Sequence, residues 1–401
     1  MECVRKVQDD LYWVGADDHR LALFENIHPI PQGISYNSYL LLDEKTVLFD
    51  TADWSVGRQF LENTEAVLAG RKLDFLVVQH VEPDHAASVG EILRRWPDVK
   101  ILCTAMAAKM LLQFGLPTEG KTEAVKEGDT RCFGKHTVKF ILAPMVHWPE
   151  VMVTFDETTG TLFSADTFGT FGALNGHLFN DEVDFEHEWL GEARRYYTNI
   201  VGKYGRQVQM LLKKTAGLNL KTICPLHGPV WRSNIGWYME KYDRWSRYEP
   251  EEKGALIVYA SMYGNTESAA EVLAAALVER GVPNVEMFDV SSTHVSYLIS
   301  ESFRLSHIVL ASVTYNLGIF PPMHAYLDDM KALNLQHRTF AILENGTWAC
   351  MVGSLMQKFV TEEMKDCSVL GQKLSLKSAL GSGKSAELNA FADAVAASVK
   401  G

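Results

Sequence analysis

The run Val77-Val78-Gln79-His80-Val81-Glu82-Pro83-Asp84-His85 follows an apolar, strand-like stretch and precedes a helical one. It places four candidate metal ligands, His80, Glu82, Asp84 and His85, within six residues. In an extended chain successive side chains alternate faces. Positions 80, 82 and 84 then bring an imidazole and two carboxylates to one spot, with His85 turned onto the other side. Any one of these residues is more often a surface or satisfied core group, but four of them at the carboxyl end of a strand read as a site. Three later positions repeat the placement. His147 ends Ala143-Pro144-Met145-Val146-His147, Asp166 closes Leu162-Phe163-Ser164-Ala165-Asp166, and His227 follows Ile223-Cys224-Pro225-Leu226. A polar residue after each strand is how an α/β scaffold builds a site from its loops. His19, His28, His136, His177 and His187 share this half of the chain and are read as structural.

The frame around this run is a large one. A chain of 401 residues exceeds what a single core usually supports and predicts two domains. With 47% hydrophobic and 22% charged residues it is not a disordered chain. The balance of 38 basic against 50 acidic residues, a net charge of −12, argues against sequence-independent nucleic-acid binding. No apolar run reaches the ~18–20 residues of a membrane span, and Met1 to Asp10 lacks the apolar core of a signal peptide. Cys3, Cys103, Cys132, Cys224, Cys350 and Cys367 form no Cys-x-x-Cys pair and read as reduced, mostly buried thiols of a cytoplasmic protein.

The polar stretch Tyr248-Glu249-Pro250-Glu251-Glu252-Lys253-Gly254 marks a boundary, giving domains of residues 1–250 and 254–401. After it, strand-like runs at 255–260, 285–288, 307–313, 339–343 and 368–374 alternate with helical stretches at 266–280, 295–303, 322–333, 349–364 and 384–399. Five such alternations predict a doubly wound parallel sheet. Before the boundary, short strands cluster at 11–14, 36–42 and 46–49, then at 138–142, 151–155 and 161–163. With helices at 56–68 and 86–96 and a long helical segment over 186–216, they predict mixed sheets covered by helices.

The second domain opens Leu256-Ile257-Val258-Tyr259-Ala260-Ser261-Met262-Tyr263-Gly264-Asn265-Thr266. A buried strand runs into a turn whose Ser261 and Thr266 hydroxyls and free backbone N–H groups face one point at a helix start, as an anion site requires. The loop is neither a nucleoside-triphosphate loop nor a G-x-G-x-x-G turn, and taken alone an ordinary βα turn explains it equally well. Two further strand ends favour a ligand: Thr314-Tyr315-Asn316-Leu317-Gly318 and Asn345-Gly346-Thr347-Trp348 put aromatics and amides beyond the carboxyl edge of the sheet. Tyr315 or Trp348 is placed to lie against a flat ring. Cys350 reads as a small buried residue.

Together these residues resemble the flavodiiron proteins. The H-x-E-x-D-H run with His147, Asp166 and His227 is similar to that family's version of the metallo-β-lactamase fold, an αββα sandwich. The loop from Ser261 through Met262, Tyr263, Gly264 and Asn265 to Thr266, with the 314–318 and 345–348 loops, resembles flavodoxin. The resemblance implies FMN in the second domain and two iron ions in the first. It gives His80, Glu82 and His147 to one iron, Asp84 and His227 to the other, Asp166 to both, and leaves His85 the least constant ligand. It also implies reduction of O2 to water or of NO to N2O, a separate donor such as rubredoxin, and a head-to-tail homodimer or dimer of dimers. That dimer would set one subunit's FMN beside its partner's irons. Zinc hydrolases of this fold resemble H-x-H-x-D-H, so Glu82 argues for iron over a zinc hydrolase with an appended flavodoxin. The complete ligand set argues against an FMN carrier with a vestigial metal half. Two departures stand out: Phe24-Glu25-Asn26 where members often carry Phe-His-Gly, and Phe168-Gly169-Thr170-Phe171 where many read Phe-Gly-Gln-His.

Overall fold

The computed structural model describes residues 2–401, which form two compact units. One holds the described residues up to Tyr197 together with Arg206–Asp243. The other holds Thr198–Gly205 and Arg244–Gly401. The short excursion of residues 198–205 into the second unit lies beyond the reach of a boundary read from composition. It falls inside the long helical segment, which is broken into Phe185–Trp189, Leu190–Tyr196, Tyr197–Val201, Gly202–Tyr204 and Gly205–Thr215 with turns of differing width.

In the first unit two sheets face each other. Seven strands, adjacent in space in their chain order, run Arg5–Lys6, Leu11–Trp13, Tyr39–Leu42, Thr46–Phe49, Phe75–Val77, Lys100–Thr104 and Thr122–Val125. The first four pair antiparallel and the last four parallel, as expected for a mixed sheet. The second sheet runs Thr130–Cys132, Thr137–Leu142, Met152–Asp156, Thr161–Phe163 and Thr222–Cys224. Trp13, Tyr39, Leu41, Val47 and Phe49 from one sheet and Phe140, Met152 and Phe163 from the other form one buried cluster. Phe49 and Phe163 stack across it at 3.7 Å. Gly57–Leu68 and Ala105–Gln113 pack on the first sheet, so its far face is also covered. Burial on both faces explains why the 46–49 strand is apolar without alternation.

A half-buried charge cluster ties the edges of this unit. His136 Nδ1 lies 2.7 Å from Asp156 and its Nε2 lies 2.9 Å from Asp10. The Asp156 hydrogen bond, aided by Asp10 against burial, raises His136 to about 9, and both carboxyls are held below their usual range. A raised histidine stabilises the fold fully below its unfolded value of ~6.5, and that contribution disappears as pH rises through the folded value. The lowered aspartates contribute above ~3.8 and lose their contribution on acidification. The unit is therefore expected to lose stability in denaturant titrations between pH 6 and 9.5, and His136→Asn should flatten that slope. An unchanged slope in the variant would remove His136 as its cause.

The second unit is a parallel sheet of Val285–Asp289, Glu252–Ala260, Leu305–Tyr315, Thr339–Asn345 and Ser368–Leu376 in that spatial order, or 2-1-3-4-5 by chain order. Alternate residues feed opposite cores. Leu256, Val258, Ile308 and Leu310 join helices Val295–Arg304, Pro321–Ala332 and Val352–Glu363. Ala255, Ile257, Val309 and Ala311 join Asn265–Glu279 and Ser385–Lys400. The order reverses between the first and third strands, where doubly wound sheets bind their ligands.

Among the described residues no helix is long and apolar enough to cross a membrane. The cysteines are less buried than expected: all six are free, Cys103 and Cys224 are buried, Cys350 and Cys367 half-buried, and Cys3 and Cys132 exposed.

Candidate metal centre and flavin loops

Three candidate ligands sit three residues past a strand end: His80 after Val77, Asp166 after Phe163 and His227 after Cys224. The loops that carry them are pinned by buried polar groups. Asp50 accepts from the Gln79 backbone and side-chain amides at 2.8 and 2.9 Å, fixing the start of the ligand run. Thr51 donates from N and Oγ1 to the His85 carbonyl at 3.0 and 2.6 Å. Asn37 Nδ2 donates to the Pro225 and Gly228 carbonyls at 2.9 and 2.8 Å, closing the loop around His227. Gly228 has φ +77°, and a Cβ there would meet Thr170 Cγ2 at 2.1 Å, so only glycine fits this turn. Met145 and Ala165, close before His147 and Asp166, hold φ of +64° and +50°, the kind of backbone strain that collects at sites.

The ligand run is not extended throughout, so residues 80, 82 and 84 do not converge on one point. Pro83 starts a helical turn, Pro83–Ala86, with Glu82 as its extended N-cap. That turn swings Asp84 away from Glu82 and pairs it with His85. Two clusters result. His80, Glu82, His147 and Asp166 form one, and Asp84, His85 and His227 form the other. In the first, Glu82 Oε2 lies 3.1 Å from His80 Nε2 and 3.0 Å from His147 Nε2. In the second, Asp84 Oδ2 lies 3.3 Å from both His85 Nε2 and His227 Nε2. Asp166 faces both. Its Oδ2 lies 3.1 Å from His147 and 3.4 Å from His80, while Oδ1 lies 3.0 Å from His85 and 3.7 Å from His227.

The electrostatics fit bound cations. Burial disfavours charge on His80, His85 and His147, yet the surrounding carboxylates outweigh it and raise all three, the last two to about 9. Against the same burial, these imidazoles hold Glu82 and Asp166 well below the carboxylate range. A metal ion satisfies the same field without those protons. Both Asp84 oxygens, His85 Nε2, Asp166 Oδ1 and His227 Nε2 are buried with no hydrogen-bond partner, a cost that a cation among them removes. His227 Nδ1 lies 2.8 Å from the Ser35 carbonyl, which only accepts, so its Nε2 faces the cluster as a lone pair.

A cavity of about 470 Å³, lined in part by Leu23, Phe24, Glu25, Tyr36 and Asp53, opens onto Glu82 and Asp84. Burial and the neighbouring Glu82 and Asp84 carboxylates push Glu25 up to about 8. His227 is ringed by Phe24, Tyr36 and Tyr196 at 5.3, 5.7 and 5.5 Å. Burial raises both phenols above their usual value, so they remain protonated donors. Phe171 packs edge-on to Phe24 and Tyr196, at 5.5 and 5.1 Å, in the same aromatic shell.

In the second unit the expected loops meet at one edge of the sheet. Ser261, Tyr263, Asn265, Thr266, Asn345 and Thr347 line a notch there. Ser261 Oγ accepts the Gly264 N–H at 3.1 Å within a turn that Gly264 makes at φ +85°. Asn345 Nδ2 donates to Thr266 Oγ1 at 3.2 Å and to the Ser378 carbonyl at 2.8 Å, leaving the Thr266 hydrogen free to donate. Thr314 turns inward: its Oγ1 accepts from Met351 and Val352 at 3.0 and 3.2 Å, at the start of the Val352–Glu363 helix. Gly318 pairs with Tyr315 across a two-residue turn at Asn316 and Leu317, both at positive φ. Tyr263 and Trp348 are the most open aromatics, at 89% and 81% exposure, beside the exposed Tyr315.

Residues 34–228 match the family model described as ODP family beta lactamase. An anaerobic nitric oxide reductase flavorubredoxin from Pectobacterium atrosepticum is 32% identical over 348 residues, covering 85% of this chain and 68% of its own length. The same-named protein of Escherichia coli O1:K1 is 32% identical over 349 residues, covering 86% of this chain and 72% of its own length. The chain belongs to the flavodiiron protein family. The rubredoxin oxygen:oxidoreductase from the anaerobe Desulfovibrio gigas superposes with a TM-score of 0.92 at 28% identity over 99% of both chains. The flavodiiron protein from Giardia intestinalis matches in fold with a TM-score of 0.92 at 24% identity over 100% of this chain and 97% of its own. This flavodiiron protein thus joins a metallo-β-lactamase-like unit to a flavodoxin-like one. Sequence reading passed over Asp50, Glu150, Ser35 and Ser378, because no spacing marks a residue that acts only by touching a ligand or loop from another strand.

Proposed function

We propose that this flavodiiron protein is an oxidoreductase that reduces O2 to water, NO to N2O, or both. The observation that carries the reading is the shared carboxylate: Asp166 faces both clusters, and the buried Asp84 oxygens, His85 Nε2 and His227 Nε2 of the second have no hydrogen-bond partner. His80, Glu82 and His147 would hold one iron and Asp84, His85 and His227 the other, with Asp166 available to both. Ser261 through Thr266, with the 314–318 and 345–348 loops, would hold FMN, with Trp348 or Tyr315 placed to cover its ring. When bound, the flavin supplies electrons and the iron pair supplies the gas-reducing chemistry. The chain's own residues position and shield. Tyr36 and Tyr196 keep phenolic protons beside the second cluster, and the apolar wall of Leu23 and Phe24 admits a small uncharged gas.

The electron donor is a separate rubredoxin-type protein, and the chain acts in the cytoplasm as a head-to-tail homodimer or dimer of dimers. Exposed Ile27 and Trp54, in the metal-bearing unit, and Tyr263 and Trp348, at the flavin loops, are the apolar surfaces a partner copy would cover. Fully reduced, metal-replete protein mixed in stopped flow with NO and, separately, with O2 should reoxidise its flavin rapidly with at least one gas. Slow reoxidation with both would reject the reductase reading.

The flavin loop has its own test. Thr266 is buried and its hydroxyl hydrogen is unspent, so it can donate to the FMN phosphate. A hydrogen bond to a charged group contributes ~1.5–3 kcal/mol, so Thr266→Val should weaken FMN retention roughly 10- to 150-fold in fluorescence titrations. Unaltered affinity would place the phosphate elsewhere.

A further inference from the structure

One buried carboxylate beside the metal clusters faces no metal position of its own. Glu150 follows His147 by three residues, and its side chain is fully shielded from solvent. Its Oε1 lies 2.7 Å from His80 Nδ1 and accepts the Val81 N–H at 3.0 Å. Its backbone is fixed as well, since Thr104 Oγ1 donates to the Glu150 carbonyl at 3.0 Å. A carboxylate only accepts, so His80 Nδ1 carries a hydrogen directed at Glu150, which leaves Nε2 as the nitrogen available to a metal. Nε2 faces the Glu82 and Asp166 carboxylates, 3.1 and 3.4 Å away.

The other cluster is backed differently. His227 Nδ1 meets a neutral acceptor, the Ser35 carbonyl, and His85 Nδ1 is buried with no hydrogen-bond partner. Of these three imidazoles only His80 is backed by an anion. A hydrogen bond from Nδ1 to a carboxylate fixes the tautomer and ring orientation and raises the donor strength of Nε2.

We infer that Glu150 is a positioning residue, which orients His80 and makes the metal position of His80, Glu82 and His147 electronically distinct from that of Asp84, His85 and His227. The inference rests on the reading that these clusters hold an iron pair.

The test uses the full-length holoprotein and two variants, with iron release to a ferrous chelator, flavin content and potentiometric titration as readouts. Wild type should hold two irons per chain. In Glu150→Leu one of the two should be bound roughly 10- to 100-fold more weakly, with flavin content unchanged. Glu150→Gln keeps the shape and an acceptor oxygen while removing the charge. It should retain both irons but shift the diiron couple to higher potential, an effect a merely structural residue would not produce. Full retention of both irons in Glu150→Leu, or an unmoved potential in Glu150→Gln, overturns the inference. If Glu150→Leu does not fold, the Glu150→Gln potential decides. Wild-type protein that binds no iron would instead refute the underlying metal assignment.

Discussion

Asp166→Ala is expected to end gas-driven flavin reoxidation, because a single carboxylate faces both metal clusters. Its two oxygens divide the work: Oδ2 lies 3.1 Å from His147 and Oδ1 lies 3.0 Å from His85. Removing it takes a ligand from each position and leaves His80, His85, His147 and His227 around a site with less anionic charge. Losing an outer hydrogen-bond partner of a ligand costs ~10–100-fold, so losing a ligand shared by two metals should exceed ~100-fold in the rate with NO. Iron content should fall below two per chain while FMN stays bound, since no flavin loop is touched. Free flavin reacts with O2, so the NO measurement is the cleaner one. A variant that reoxidises within a few-fold of wild type would show that Asp166 does not join the metals.

The largest expected effect on stability lies in the flavodoxin-like unit. Arg338 is buried, and its guanidinium donates to the carbonyls of Ser302, Tyr248, Gln336 and Phe303 at 2.7, 2.7, 2.8 and 2.5 Å. This one side chain satisfies the C-terminal end of the Val295–Arg304 helix and the loop entering the Thr339–Asn345 strand. Arg338→Met keeps much of the volume but leaves four carbonyls without their donor. A buried carbonyl left unpaired costs ~1–3 kcal/mol, so losing the shared donor of four is expected to cost at least ~3–5 kcal/mol. For a unit of this size that corresponds to roughly 6–20 °C in the midpoint of flavin release on heating. The metal clusters should keep their iron at ambient temperature. A shift under about 2 °C, less than 1 kcal/mol would give, would mean the carbonyls find water instead.

The second unit was the more legible from sequence. Each expected strand matches an observed one to within about three residues at either end, as in 285–288 against Val285–Asp289, and the helices follow closely. The reason is local: the near-continuous apolar runs Leu256–Ala260, Ile308–Ala311 and Phe340–Leu343 cannot be surface strands, and the alternation of strands with amphipathic helices admits one architecture. The first unit was harder. The two-residue strands Leu23–Phe24 and His28–Pro29 carry no periodicity to read, and the helical stretch over 186–216 gives no sign of the turns of differing width that divide it.

At the candidate site, the seven candidate ligands were visible as polar residues clustered after apolar strands. Their division into two clusters was not. It turns on Pro83, which ends the extended run and starts a helical turn that carries Asp84 toward His85 and His227. The roles of Asp50, Ser35 and Glu150 were equally invisible, because each reaches its ligand across more than 25 residues of chain. By itself, the sequence determined the two-unit architecture, the kinds of donor atom and the hardness of the ligand set, since these follow from local composition and period. Only the tertiary structure decided which candidate donors share a cluster, which carboxylate faces both clusters, and which imidazole is backed by an anion. Those depend on distances between loops from different strands, which sheet packing sets and local sequence does not encode.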